Sequence, residues 1–73
     1  MEGIKMIRHD IEKNFKYLIR YGTIMDDTFI HDMNIRITII KDDVTGRYFK
    51  IIRKDGEVVQ IQRLTAQYSV IEI

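Results

Sequence analysis

The chain contains no cysteine, no proline and no tryptophan, and only four glycines in 73 residues. Without cysteine there is no disulfide, no thiol nucleophile and no thiolate metal ligand, which excludes a disulfide-stapled secreted mini-protein and favours a reducing, cytoplasmic setting. Charge of one sign is also in short supply as an excess. Twelve Lys and Arg stand against eleven Asp and Glu, a net charge of +1. The overall field therefore steers the chain only weakly toward nucleic acid or an anionic membrane, and polyanion binding would need a local patch.

Long apolar runs are missing as well. Glu2, Lys5, Arg8, Asp10, Glu12, Lys13, Lys16 and Arg20 interrupt the beginning of the chain, so neither a signal peptide nor a membrane span is expected, and no membrane partner. Ser69 is the sole serine, and His9 and His31 are the sole histidines. Nothing pairs a nucleophile with a base, and no Gly-rich phosphate loop is present, so no enzyme and no small-molecule substrate are expected. Asp26, Asp27, His31 and Asp32 are metal-ligating types, but strand alternation sends Asp27 and His31 to one face and Asp26 and Asp32 to the other. Asp42 and Asp43 lack the spacing of a calcium loop and read as turn acids. No metal or other cofactor is expected.

What is present is a folding composition, 45% hydrophobic and 32% charged. One domain over residues 1–73 is expected, and a domain of this size buries only about 60% of the surface its unfolded chain exposes. Its core must be thin. Ile4, Ile7, Ile11, Phe15 and Leu18 recur at steps of three and four, which predicts an amphipathic helix over 4–21, ended by Gly22 as a left-handed cap. The other side of that helix carries Lys5, His9, Lys13, Lys16 and Arg20.

The period then changes to two. Strands are predicted over 23–32, 34–41, 47–54, 57–64 and 67–73. Asp55-Gly56 asks for a two-residue type I′ turn, which sets Lys54 opposite Glu57 and Arg53 opposite Val58. Continued without interruption, that register sets Ile52 opposite Val59, Lys50 opposite Ile61 and Phe49 opposite Gln62. The fold class is α+β: one N-terminal amphipathic helix packed on an antiparallel four- to five-stranded β-meander. One helix followed by up to five strands is also the element order of Sm-like RNA-binding proteins, but no motif of that family falls on these residues.

An even-length loop at 42–45 groups Ile35, Ile37 and Ile39 with Ile52, Val59 and Ile61 on the face expected to meet the helix, whereas a bulge at Gly46 reverses the assignment. The even loop leaves Phe49, Ile51 and Val58 on the second face among Arg36, Arg53, Gln60 and Gln62. Apolar anchors inside an Arg- and Gln-rich rim fit a protein interface, for a partner protein or a second copy. The function this supports is a small non-enzymatic interaction protein, in the class of regulators and inhibitors carried by phages and mobile elements. The competing reading is a nucleic-acid-binding module. It uses Arg47, Tyr48, Phe49 and Lys50, where cations alternate with aromatics, together with the basic helix stripe from Lys5 to Arg20.

Overall fold

A computed structural model describes residues 8–71, with side chains from residue 10 onward. The fold is α+β. Helix α1 (Arg8–Tyr21) leads into β1 (Gly22–Ile30), a 3-10 turn (His31–Met33), β2 (Ile35–Asp42), β3 (Tyr48–Lys54) and β4 (Glu57–Leu64). The strands form one antiparallel meander in the order β1-β2-β3-β4. Residues 4–7 of the expected helix lie outside the described residues.

The helical spacing works as the sequence implies. Leu18 is buried and Phe15 packs beside it against the sheet, while Lys13, Lys16 and Arg20, about half a turn away, are exposed. Gly22 does something other than cap. It is absent from the positive-φ residues and enters β1 directly. A Cβ on it would stand 2.5 Å from the Leu18 carbonyl oxygen and 2.8 Å from an Ile40 side-chain carbon. Glycine is needed there because the helix end and the sheet touch.

Turn chemistry sets the rest of the meander. Asp55 and Gly56 both take positive φ, 51° and 82°, as a type I′ turn demands. At the other end of the sheet Asp42 is buried. Its Oδ1 accepts from the Val44 amide at 2.9 Å and the Thr45 amide at 3.4 Å, and Gly46 closes the turn with φ 76°.

Two register shifts were not legible. β1 carries an irregularity between Ile24 and Asp26, so Met25 is the extra residue. In β4, Lys54 and Arg53 pair with Glu57 and Val58 as expected, but Ile52 then pairs with Gln60, Ile51 with Ile61, Lys50 with Gln62 and Phe49 with Arg63. Val59 is therefore bulged. That bulge moves Ile61 onto the Phe49 and Ile51 side and Gln60 and Gln62 onto the other, correcting the uninterrupted pairing.

The helix covers the side opposite to the one expected. Ile37 pairs with Ile52 and Ile39 with Lys50, so the grouping of isoleucines 35, 37, 39 and 52 holds. Yet the core joins Leu18 to Ile40 and Ile51, with Phe15, Phe49, Val58 and Ile61 packed against it. With Ile61 moved over by the bulge, this face has Ile40, Phe49, Ile51, Val58 and Ile61 to offer the helix.

The expected strand over 67–73 reduces to a single bridge, Leu64 to Val70, with residues 72–73 outside the description. A tight turn precedes it, in which the Tyr68 amide donates to the Thr65 carbonyl at 2.9 Å and Tyr68 takes φ 64°. The Ile71 amide then donates to the Arg63 carbonyl at 2.8 Å. This return covers one end of the β4 edge.

Candidate functional site

Strand pairing assigns the open face row by row. Across β1 to β4 the side chains run Thr23, Lys41, Tyr48, Leu64; then Asp26, Ile39, Lys50, Gln62; then Thr28, Ile37, Ile52, Gln60; then Ile30, Ile35, Lys54, Glu57. Isoleucines 30, 35, 37, 39 and 52 form a continuous apolar strip along β2 and its neighbours. Ile30 is exposed and the other four are partly buried. Among the described residues no helix crosses this strip. One corner is built up: Tyr68 packs against Tyr48 at 5.5 Å between ring centroids, and Lys41 Nζ lies 5.9 Å from the Tyr48 ring.

The helix-side face is, by contrast, rich in polar groups. Thr38 and Asp42 are buried on it, and Arg36 and Arg53 stand opposite each other beside them. Asp27 on β1 ties this group together. Its Oδ2 accepts from Arg36 at 2.7 Å and its Oδ1 from Thr38 Oγ1 at 2.9 Å. These bonds, the Thr38 hydroxyl foremost, hold the Asp27 carboxyl below its ordinary range against the opposing effect of burial. Burial likewise works to raise Asp42, but donation from Val44, Thr45 and the Tyr17 hydroxyl at 3.2 Å outweighs it, so Asp42 is also held below its usual range. Tyr17 moves up, first through burial and then because its proton is held by Asp42.

The residues proposed from sequence as one interface are thus divided. Phe49, Ile51, Val58, Arg36 and Arg53 lie on the helix-covered face, with Ile51 fully buried. Gln60 and Gln62 lie on the open face. This corrects the face assignment, and the cause is the Val59 bulge together with the helix position. The residues that sequence reasoning placed under the helix, Ile35, Ile37, Ile39 and Ile52, are the ones left uncovered.

The basic and aromatic residues are divided as well. Tyr48 and Lys50 are on the open face and Arg47 is exposed in the loop, whereas Phe49 is under the helix. Lys13, Lys16 and Arg20 project from the outer side of α1, behind the sheet from Tyr48. Lys5 and the His9 side chain lie outside the described residues. Among the described residues no one surface joins the helix stripe to both Tyr48 and Phe49.

No family model, curated protein or solved structure matches the chain. The site therefore rests on its geometry. Among the described residues no group of three or more His, Asp or Glu side chains could hold a metal ion, and no helix is long and apolar enough to cross a membrane. Asp26 faces the open side and Asp27 the helix side, as alternation requires. His31 packs edge-on against Phe29 at 4.6 Å.

One signal for the open face was available in the sequence. Isoleucines 35, 37 and 39 alternate with Arg36, Thr38 and Ile40, so both faces of β2 were marked as needing cover. Which face the helix would choose was not marked.

Proposed function

We propose that this chain is a small, cytoplasmic, non-enzymatic interaction protein that works through the open face of its sheet, and that a second copy of itself is the surface that covers it. The observation carrying this reading is an apolar strip on a face that has no cover among the described residues. An antiparallel sheet with one face in water normally turns polar residues outward. Here isoleucines 30, 35, 37, 39 and 52 run continuously across the open face between its charged and Gln positions.

Charge placement supports a second copy as the occupant. In one row of the open face Asp26 and Lys50 flank Ile39, one strand to either side. Among the described residues neither takes part in an ion pair within its own chain. A copy turned by a half-rotation about an axis along β2 sets β1 over the partner's β3, at the spacing of about 10 Å of stacked sheets. Asp26 of each chain then meets Lys50 of the other, twice, and Ile35, Ile37 and Ile39 meet their own counterparts. The contact is isologous and closes as a dimer.

The test is solution mass by light scattering and sedimentation. Wild type should be dimeric and Ile37→Glu monomeric with an unchanged circular dichroism spectrum. Asp26→Lys should weaken the dimer, and Asp26→Lys combined with Lys50→Asp should restore it. A wild-type monomer at the highest soluble concentration overturns the proposal, as does a double swap that fails to recover association while retaining the fold.

The nucleic-acid reading keeps one local support, the corner where Tyr48 and Tyr68 stack beside Lys41. Binding there to single-stranded RNA would depend on Tyr48 and would weaken steeply with salt. Dimerisation through isoleucines would not weaken with salt in that way.

A further inference from the structure

A second feature lies on the opposite side of the sheet, independent of the dimer. Arg36 on β2 and Arg53 on β3 are directly opposed cross-strand neighbours. Like charges at such positions repel, and a sheet tolerates them when something between them is negative. Asp27 supplies one negative charge, bonded to Arg36 at 2.7 Å. Arg53 makes no direct ion pair with a carboxylate among the described residues, although its charge is felt by Asp27. It donates from Nη2 to Thr38 Oγ1 at 3.1 Å, and its Nε is buried with no acceptor. A buried guanidinium N–H left unmatched is costly.

Both guanidinium groups lie against aromatic rings, Arg36 over Phe29 at 5.1 Å and Arg53 over Phe15 at 5.4 Å. Such contacts restrict a guanidinium while leaving N–H groups to donate. Both arginines line a cleft of about 270 Å³, together with Phe29, Asn34 and Gly56. Its far wall is the two turn tips, which are clasped: Asn34 Nδ2 donates to Asp55 Oδ1 at 2.8 Å, and the Asp55 amide donates to the Asn34 carbonyl at 3.1 Å.

From this geometry we infer that the cleft between the Arg36–Arg53 pair and the Asn34 and Gly56 turn tips is a binding site for a singly charged oxyanion. At the arginine end of the cleft two guanidinium groups stand against the single Asp27 carboxylate, while the Asp55 carboxylate is held by Asn34 at the turn tips, so a monoanion balances the arginine end. Two guanidinium groups lining one cleft suit the paired oxygens of a carboxylate or of a phosphate group. That oxyanion belongs either to a free small molecule or to the acidic side chain of a bound protein. The chemistry is the same, and the two sources differ in size.

The probes are benzoate and inorganic phosphate, titrated into nitrogen-15-labelled full-length protein at constant ionic strength with chloride as the control. The arginine Nε–H signals of Arg36 and Arg53 and the amides of Asn34 and Gly56 should shift together and saturate. Arg53→Lys keeps the charge and loses the fork, and should weaken binding about tenfold, equivalent to about 1.4 kcal/mol. Asp27→Asn removes the competing carboxylate and should tighten it by a similar factor, a gain that damage to the fold could not produce. A glutamate-containing peptide that outcompetes benzoate would assign the site to a partner's side chain, and benzoate binding alone would assign it to a small molecule. Shifts equal to those with chloride, or binding unaffected by both variants, would overturn the site. Dimerisation would be untouched by that failure, since the cleft and the isoleucine strip lie on opposite faces.

Discussion

Asp42 shows how much one side chain does in a chain this short. It joins three elements at once, accepting from the Val44 and Thr45 amides in the loop and from Tyr17 on the helix. Since its folded pKa lies below the ordinary value, the carboxylate stabilises the fold above the unfolded pKa, and that contribution is lost as pH falls through the folded value. Asp42→Asn can keep the amide bonds but not the charge. Its melting temperature should fall below that of wild type at about pH 7, and the gap should narrow as pH falls through and below the ordinary Asp value of about 3.9. A gap that persists in acid would show that shape, and not charge, is what Asp42 provides. Sequence alone identified Asp42 as a turn acid. Its bond to Tyr17, 25 positions away, depends on how the helix lies on the sheet.

At the scale of the element, the β4 bulge decides the most. A strand's side chains alternate, so one extra residue exchanges the faces of everything beyond it. With Val59 accommodated as the extra residue, Ile61 packs on the core and Gln60 and Gln62 face out. Deleting Val59 should keep Gln60 opposite Ile52 and Ile61 opposite Ile51 in an uninterrupted register, so Ile61 stays on the core side. Ile61→Ala, which removes its packing outright, should cost about 2 kcal/mol or more. Denaturant unfolding should show a clear drop in midpoint for Ile61→Ala and a smaller change for the deletion, and a deletion as damaging as Ile61→Ala would mean that the pairing beyond the bulge depends on Val59 itself. β1 carries its own bulge at Met25 and two acids, Asp26 and Asp27, along the outer edge of the sheet. Bulges and inserted charge are how edge strands resist pairing with other chains. An edge of this kind is consistent with the proposed association through the face.

Among the described residues the whole molecule has a second layer on one side of its sheet only. Ile51 is fully buried between β2, β4 and the helix, whereas Ile37 has the sheet beneath it and nothing described above it. The same substitution at both therefore separates core from interface. Ile51→Ala should lower monomer stability by about 2–5 kcal/mol. Ile37→Ala should leave the dilute, monomeric protein nearly as stable as wild type and should raise the dimer dissociation constant about tenfold or more. If Ile37→Ala destabilises the dilute monomer as much as Ile51→Ala does, the strip is part of the core and the dimer proposal loses its basis. A small domain with a thin core gains most from such cover, since association adds stability in proportion to concentration.

The sequence by itself determined the local structure: the helix through its three-and-four spacing, the hairpin through Asp55-Gly56, the meander order through short turns, and the presence of apolar residues on both faces of β2. These are set within a few residues of chain, where φ preference and side-chain period act. Only the tertiary structure decided which face the helix covers, how Gly22 is used, that residues 67–71 return as a turn with one bridge, and that Arg36, Arg53, Asp27 and Phe29 gather around one cleft. Each of these depends on register across strands far apart in sequence. A single extra residue in β4 reverses which side chains share a face, and nothing in the local propensity of Val58-Val59-Gln60 announces it.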